Sequence, residues 1–253
     1  MVLQRLNMDN TWFLDFGGVR ILVDPWLKGA EVDYFSWFNK QWHRTSPVSI
    51  EDVPPYDLVL ITQKYPDHFH PETLSLLSPE RLLVPQSIEE KVRKVCPKAF
   101  VSTLEDASIL LRSEAIDVLH LPSHRSMDPI YDGIVLYDTN ESVLLATHGY
   151  HPSWTSLLLD IPPLKVALTP FNEYKLPTFL GGAVSPGIDA VRDMIVATEP
   201  RYVVATHDED KHAQGLISKL ARITLPPSDD ILRSEDLFRD RLLTIEDYQP
   251  VSI

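Results

Sequence analysis

Residues 57–71 read Asp-Leu-Val-Leu-Ile-Thr-Gln-Lys-Tyr-Pro-Asp-His-Phe-His-Pro, and the rest of the chain is organised around this stretch. It begins with an apolar run of strand-forming residues, Leu58 to Ile61, which predicts a short buried strand. Pro66 stops the strand pattern, and a polar loop with Asp67 and His68 follows. Because ligand and catalytic groups of α/β proteins gather where strands end, we expect a functional site at this loop.

The composition restricts the class of protein. The 253 residues contain no linker rich in Gly and Ser, so we expect one domain over residues 1–253, with a charged surface extension from about residue 226. A formal net charge of -13 argues against a nucleic-acid partner, since phosphate binding needs clustered Lys and Arg. No apolar stretch approaches the roughly 18 residues of a membrane span, and the N terminus lacks a signal-peptide pattern. We therefore expect a cytoplasmic protein without a membrane partner.

A hairpin is predicted upstream of the loop. Thr11–Phe16 and Val19–Val23 have strand composition, and they flank the pair Gly17-Gly18. Paired glycines supply the positive φ values that a tight hairpin turn needs. Asp24 follows the second strand directly, where it serves either as a turn-forming carboxylate or as part of a site.

Aromatic residues are dense in the stretch after this hairpin, which shows no helical or strand periodicity. The members are Tyr34, Phe35, Trp37, Phe38, Trp42 and His43. Aromatics at this density either fix a loop to the protein body or line a pocket or partner surface. We predict that the segment from Tyr34 to Trp42 overhangs the site or forms a contact between identical subunits.

Downstream of the loop the pattern alternates between helices and strands. A capping box at Ser87 to Glu90 predicts a helix that ends near Val95. Ser185 is the predicted cap of a helix from Pro186. The other predicted helices are Pro71–Leu77 and 212–221. The predicted strands are 81–84, an antiparallel series at 100–102, 108–112, 115–121, 133–137 and 142–146, and then 166–169 and 202–205.

Seven of the nine histidines follow predicted strands, in the clusters His68 and His70, His120 and His124, His148 and His151, and His207. Imidazoles and a carboxylate at neighbouring strand ends are the ligands that zinc or iron prefers. A histidine that is satisfied in the core or lies on the surface is the simpler interpretation for His43, His70, His120 and His212.

The chain resembles the metallo-β-lactamase fold superfamily from about Thr11 to Ala221. The resemblance is carried by Ile-Leu-Val-Asp-Pro-Trp-Leu at residues 21–27 and by a degenerate H-x-H-x-D-H motif at residues 63–68. A motif that begins with Gln, and a later His-Gly pair, are similar to superfamily members from cyanobacteria and plants. The resemblance implies an αββα sandwich of two mixed sheets flanked by helices.

The departures from the superfamily pattern imply a single metal ion. Gln63 and Tyr65 stand where two histidines would hold the first ion, and Thr147 stands where an aspartate would bridge two ions. The second ion would keep its ligands. By this resemblance the metal ligands are drawn from Asp67, His68, His124, His148 and His207.

These expectations combine into a metal-dependent hydrolase with one divalent transition metal, Zn²⁺ or else Fe²⁺ or Mn²⁺, and a small-molecule substrate. In this hypothesis Asp67 orients the attacking water and Tyr65 donates a hydrogen bond to the developing oxyanion. The alternative hypothesis is a non-catalytic protein that binds a ligand or acts as a scaffold through the degenerate site.

Overall fold

The computed structural model of the protein describes residues 1–104, 116–122, 132–208 and 210–253. The chain divides into two compact units. Unit 1 consists of Met1–Val118, Asp210–Ser218 and Ile245–Ile253, and unit 2 consists of Leu119–Glu209 and Lys219–Thr244. Among the described residues, the helices are all too short or too polar to cross a membrane.

The strands, in chain order, are β1 (Val2–Arg5), β2 (Trp12–Phe16), β3 (Val19–Val23), β4 (Glu31–Asp33), β5 (Asn39–His43), β6 (Leu58–Leu60), β7 (Arg81–Val84), β8 (Phe100–Thr103), β9 (Asp117–Leu121), β10 (Gly133–Tyr137), β11 (Ser142–Leu145), β12 (Leu164–Pro170), β13 (Glu173–Lys175), β14 (Ala183–Pro186), β15 (Tyr202–Thr206), β16 (Lys211–Gln214), β17 (Arg222–Thr224) and β18 (Val251–Ser252). The α-helices of the described residues are α1 (Pro71–Leu77), α2 (Glu89–Val95), α3 (Thr155–Leu158), α4 (Ile188–Thr198), α5 (Ile217–Leu220) and α6 (Asp229–Ser234). Short 3-10 turns lie at Ile50–Asp52, Gln86–Ile88, Pro152–Trp154 and Thr178–Leu180.

Unit 1 is built on a seven-stranded mixed sheet in the order β18-β1-β2-β3-β6-β7-β8. Strands β1 to β3 pair antiparallel, while β3, β6, β7 and β8 pair parallel. The predicted hairpin is confirmed, because Gly17 and Gly18 form the turn with φ values of 59° and 81°. Side chains of Val59, Leu82 and Leu74 share one apolar core, so the strands and α1 pack together.

Helix α1 has the predicted bounds, with Pro71 in its first turn and His70 as its cap. The helix predicted to end near Val95 is also present, but its predicted capping box is wrong. Residues Gln86–Ile88 form a 3-10 turn, and Ile88 precedes α2 without a side-chain cap. Ser87 therefore lies inside that turn and does not cap the helix.

Unit 2 contains a five-stranded sheet in the order β15-β12-β11-β10-β9 and a smaller one in the order β14-β13-β17. The antiparallel pairing predicted for β10 and β11 is confirmed. The predicted antiparallel series is wrong for β8, which pairs parallel with β7 in the sheet of unit 1. The strand predicted at 108–112 lies outside the described residues.

Two further predictions in the C-terminal half are wrong. Ser185 lies in β14, and Gly187, with φ 84°, precedes α4 in place of the predicted serine cap. The helix predicted at 212–221 is a strand followed by one helical turn, since β16 pairs antiparallel with β5 and Gly215 has φ 116°. Positive φ favours glycine and ends regular structure, so the chain turns at this residue.

The segment after residue 226 is not a surface extension, in contrast to the prediction. Helix α6 places Leu232 in the core of unit 2, and the chain beyond it adds Phe238 and Leu242 to the same core. Strand β18 pairs with β1 in unit 1. Several apolar residues of this charged segment are buried, including Leu232, Phe238 and Leu242, which a weak sequence pattern does not reveal.

Candidate metal centre

His68, in the loop after β6, is held in unit 1 by a buried carboxylate. Its Nδ1 atom lies 2.7 Å from Oδ2 of Asp24, and both side chains are fully buried. The same carboxylate accepts a hydrogen bond from the Nδ2 amide of Asn10 at 2.6 Å and from the backbone N–H of Thr62 at 2.7 Å. The Asp24 carboxylate therefore fixes both the loop after β6 and the ring of His68.

The chemistry of this contact determines which ring nitrogen of His68 carries a proton. An ionised carboxylate accepts hydrogen bonds and donates none, so Nδ1 must be the donor to Asp24. The other nitrogen, Nε2, lies 3.7 Å from Oδ2 of Asp67. Metal-ligating histidines commonly donate one ring N–H to a carboxylate and bind the metal through the other nitrogen. His68 has this orientation, because its Nδ1–H donates to Asp24 and its Nε2 lies near a second carboxylate.

The backbone at Asp24 is strained. Its φ is 45°, in the left-handed region that residues with a Cβ seldom adopt. The N–H of Asp24 donates to the carbonyl of Leu60 at 2.9 Å, which fixes the turn against β6. Such strain persists only where the surrounding contacts enforce it and is concentrated at functional sites. Asp24 is thus both a turn residue and the hydrogen-bond partner of His68.

Electrostatics favour the protonated form of His68 in the metal-free protein. Complete burial lowers the pKa of this imidazole. The carboxylates of Asp67 and Asp24 raise it by a larger amount, so that the net pKa is about 9. A cation at this position is therefore stabilised by the protein. A divalent metal ion would replace the proton and use the same negative surroundings.

The catalytic candidates Asp67 and Tyr65 both belong to the turn that presents His68. The carbonyl of Tyr65 accepts hydrogen bonds from the N–H groups of His68 and Phe69, at 3.0 Å and 2.7 Å. The side chain of Asp67 remains partly accessible, at 16% exposure. Gln63, which the predicted resemblance places at the first motif histidine, is buried at 2% exposure. The turn is therefore rigid, and its acid is open to a ligand.

Asp67 lies among other acids of unit 1. One carboxylate oxygen of Asp67 and one of Asp9 are within 4.8 Å of each other. Burial, followed by the charge of Asp67, raises the pKa of Asp33 to about 6 and raises that of Glu31 well above its ordinary value. Nζ of Lys211 lies 3.1 Å from Oδ1 of Asp9, and its positive charge offsets part of this negative charge. The acids make this part of unit 1 attractive to cations.

His148 and His207 come together within unit 2. Their rings are stacked, with centroids 5.2 Å apart, and one nitrogen of each lies within 4.8 Å of the other. Both residues follow strands of the five-stranded sheet, β11 and β15, and both are more than nine-tenths buried. His207 has φ 52°, the same strained region as Asp24, and its carbonyl accepts a hydrogen bond from Asn172 at 2.8 Å. Unit 2 therefore presents two buried imidazoles at adjacent strand ends.

Thr147, which the predicted resemblance places at the metal-bridging aspartate, is also buried in unit 2. Its exposed fraction is 1%, and its Oγ1 has no hydrogen-bond partner among the described residues. A buried hydroxyl without a partner is uncommon in proteins and is usually satisfied by water or a ligand. The Thr147 hydroxyl can therefore form a hydrogen bond with a water molecule or a ligand atom.

Four other histidines are satisfied in the core or lie on the surface, as the simpler interpretation of the sequence predicts. His43 packs against Trp26, His70 is the N-cap of α1, and Nε2 of His120 lies 3.0 Å from Oδ2 of Asp132. His212 is exposed in β16. His124, predicted from the resemblance as a ligand, lies outside the described residues.

Sequence reasoning missed the two polar partners of Asp24. Thr62 directly follows the predicted strand, and this position is the only sequence signal for its role. Asn10 carries no pattern at all, since its contact with Asp24 depends on the antiparallel register of β2 and β3. The ion pair of Lys211 with Asp9 was missed because Lys211 directly precedes the helix predicted at 212–221.

Comparison with protein families shows which superfamily the chain belongs to. Residues 7–207 match the family described as "Beta-lactamase superfamily domain". The chain belongs to this superfamily. The predicted resemblance is thereby confirmed at the level of the superfamily. No curated protein sequence matches the chain.

Solved structures with the superfamily fold are similar to the chain over its whole length. They include isothiocyanate hydrolase from Delia radicum gut bacteria, with 17% identity, a TM-score of 0.71 and coverage of 100% of this chain and 99% of that one. A possible metal-dependent hydrolase from Veillonella parvula DSM 2008 has 15% identity and a TM-score of 0.72, with coverage of 100% and 99%. The metallo-β-lactamase fold protein YhfI from Bacillus subtilis has 11% identity, a TM-score of 0.60 and coverage of 99% and 98%. The predicted metallo-β-lactamase fold, with several mixed sheets and helices, is confirmed.

Proposed function

We propose that the protein is a metal-dependent hydrolase that holds one divalent transition metal ion, with Zn²⁺ as the expected ion and Fe²⁺ or Mn²⁺ as alternatives. The observation that carries this proposal is the contact between Asp24 and His68, because it fixes a buried imidazole whose Nε2 lies 3.7 Å from a second carboxylate, that of Asp67. Superfamily membership supports hydrolysis as the class of reaction.

The side chains fit a metal ion in their chemistry. The ligands we propose are Asp67, His68, His148 and His207, an oxygen and nitrogen set that zinc accepts. Ligand bonds to zinc are roughly 2.0–2.2 Å long, so two donors of one ion lie no more than about 4.2 Å apart. The 3.7 Å between Nε2 of His68 and Oδ2 of Asp67 satisfies this limit.

The residues of the turn would share the chemical work. When bound, a divalent ion acts as a Lewis acid that polarises the scissile bond and lowers the pKa of an attacking water. The free oxygen of Asp67 accepts a hydrogen bond from that water and orients it. The phenol of Tyr65 donates a hydrogen bond to the oxyanion that develops on the substrate.

The number of ions follows from the residues at the first motif. Gln63, Tyr65 and Thr147 stand where the superfamily pattern places two histidines and a bridging aspartate. Without these ligands a second transition metal has too few donors for a stable site. We therefore expect at most one tightly held ion per chain and near-background hydrolysis of generic lactams and phosphodiesters.

Metal analysis tests the proposal. Protein purified without chelator and then incubated with Zn²⁺, Mn²⁺ or Fe²⁺ should hold about one ion per chain, and His207→Ala should lower occupancy while circular dichroism shows an intact fold. His212→Ala is the control, since this exposed histidine should leave occupancy unchanged. Binding of no ion, or of two ions, by the unaltered protein would contradict the proposal. The triple variant Gln63→His, Tyr65→His and Thr147→Asp should take up a second Zn²⁺.

The alternative is a non-catalytic binding protein, and it makes a different prediction. A scaffold would keep its ligand or partner affinity after Asp67→Asn, whereas a hydrolase would lose turnover of any accepted substrate in that variant.

A further inference from the structure

Three large aromatic side chains are exposed at one turn of unit 1. We call Tyr34–Phe38, the segment between β4 and β5, the aromatic tip. Tyr34, Phe35 and Trp37 expose 79%, 60% and 67% of their surface. Isolated exposed apolar residues are ordinary, but a contiguous exposed patch marks an interaction surface.

The rings of the aromatic tip pack on one another. Phe35 and Trp37 stack with centroids 5.9 Å apart and planes within 6° of parallel. Phe38 receives edge contacts from Tyr34 at 5.6 Å and from Trp37 at 6.0 Å. The four rings therefore form one continuous apolar surface.

The backbone under these rings is fixed. The N–H groups of Leu216 and Ile217 donate to the carbonyls of Trp37 and Phe38, at 3.0 Å and 2.9 Å. Gly215 permits this approach, because a Cβ at that residue would lie 2.6 Å from the carbonyl oxygen of Phe38. A rigid surface loses little conformational entropy on binding, which favours association.

Charge indicates the kind of partner. The aromatic tip contains no charged residue, although the chain has a formal net charge of -13. A charged partner finds nothing on the rings to pair with, whereas two copies of this chain repel each other least where each is uncharged. The exposed rings of two tips bury on the order of 1,000 Å² in total, about the least that a specific interface needs.

We propose that the aromatic tip is the contact through which two copies of this chain form a symmetric dimer, with the stacked rings of Phe35 and Trp37 on one copy against the same rings on the other. In a two-fold contact each tip meets its own counterpart, so a single apolar patch suffices for both partners. Large aromatic rings near the centre of an interface supply most of its binding energy.

Sedimentation velocity of the metal-free full chain tests the dimer, over micromolar to submillimolar concentrations and at low and high salt. The unaltered protein should dimerise with increasing concentration, and added salt should favour the dimer by screening the net charge. Phe35→Ala with Trp37→Ala should weaken dimerisation at least about tenfold. Trp37→Lys, which adds a like charge to both faces, should also abolish it.

The matched control is Phe179→Ala, since Phe179 exposes 81% of its surface in unit 2 and lies outside the aromatic tip. This variant should dimerise as the unaltered protein does. A monomer at all concentrations would overturn the proposal and leave a small apolar molecule as the occupant of the tip. Dimerisation that survives the tip variants, with circular dichroism unchanged, would also overturn it.

Discussion

Replacement of Asp24 by Asn tests how this buried carboxylate stabilises the protein. The carboxylate accepts hydrogen bonds from His68, Asn10 and the backbone N–H of Thr62. An Asn side chain keeps the shape but offers one acceptor and two donors, so at least one buried donor loses its partner. The charge that stabilises protonated His68 is lost as well.

The expected loss of stability follows from the pKa of His68. Raising the pKa of an imidazole from 6.5 to about 9 corresponds to roughly 3 kcal/mol of stability in its charged form. Because the folded-state pKa is the higher one, this stability is fully present below about pH 6.5 and is lost as pH rises through about 9. Asp67 supplies part of this shift and remains in the variant. Asp24→Asn should therefore lower the unfolding free energy by up to roughly 3 kcal/mol near pH 6, or Tm by up to about 6–12 °C, and by less above pH 9.

Urea denaturation of the metal-free protein, followed by circular dichroism across this pH range, measures the effect. The matched control is Asp57→Asn, which removes a carboxylate paired with Arg20 on the surface and should change stability much less. Competition with a chelator should also show Zn²⁺ affinity lower by about 10–100-fold in Asp24→Asn. A loss below about 1 kcal/mol at pH 6 would refute the role assigned to Asp24.

Two further predictions concern other residues of the two units. The pKa of Asp33 is raised from 3.8 to about 6, chiefly by burial and then by Asp67, so the native state binds a proton that the unfolded chain has lost, and stability falls as pH rises through this window. Above pH 6, Asp33→Asn should be more stable than the unaltered protein by up to about 3 kcal/mol, and below about pH 4 the two should be equally stable. Urea denaturation without metal measures this difference. Equal stability at pH 8 would contradict the prediction. Phe238→Ala should destabilise the protein by about 3–5 kcal/mol, because Phe238 lies in the core of unit 2. Phe179→Ala, at an exposed residue, should change stability by less than about 0.5 kcal/mol. A similarly small effect at Phe238 would show that the segment after residue 226 does not pack into the core of unit 2.

Local patterns were sufficient for much of the fold. The Gly17-Gly18 turn and the helix that begins at Pro71 each depend on residues adjacent in sequence, and both are present as predicted. The apolar run before Thr62 likewise became β6, a strand whose residues are all buried because both of its faces are covered. Where a residue's conformation is determined by its sequence neighbours, the sequence predicts it.

Contacts between distant residues were decided by tertiary structure alone. The partner of Asp24 lies 44 residues away at His68, and Asn10 joins them only through the pairing of β2 with β3. The segment at Lys211 has helix-forming composition but pairs with β5, since strand hydrogen bonds and the turn at Gly215 outweigh its propensity. The superfamily and the residue types available for a site were predictable from the amino-acid sequence. Only the folded chain determined which of them share a carboxylate, because distant hydrogen bonds leave no periodic trace in the sequence.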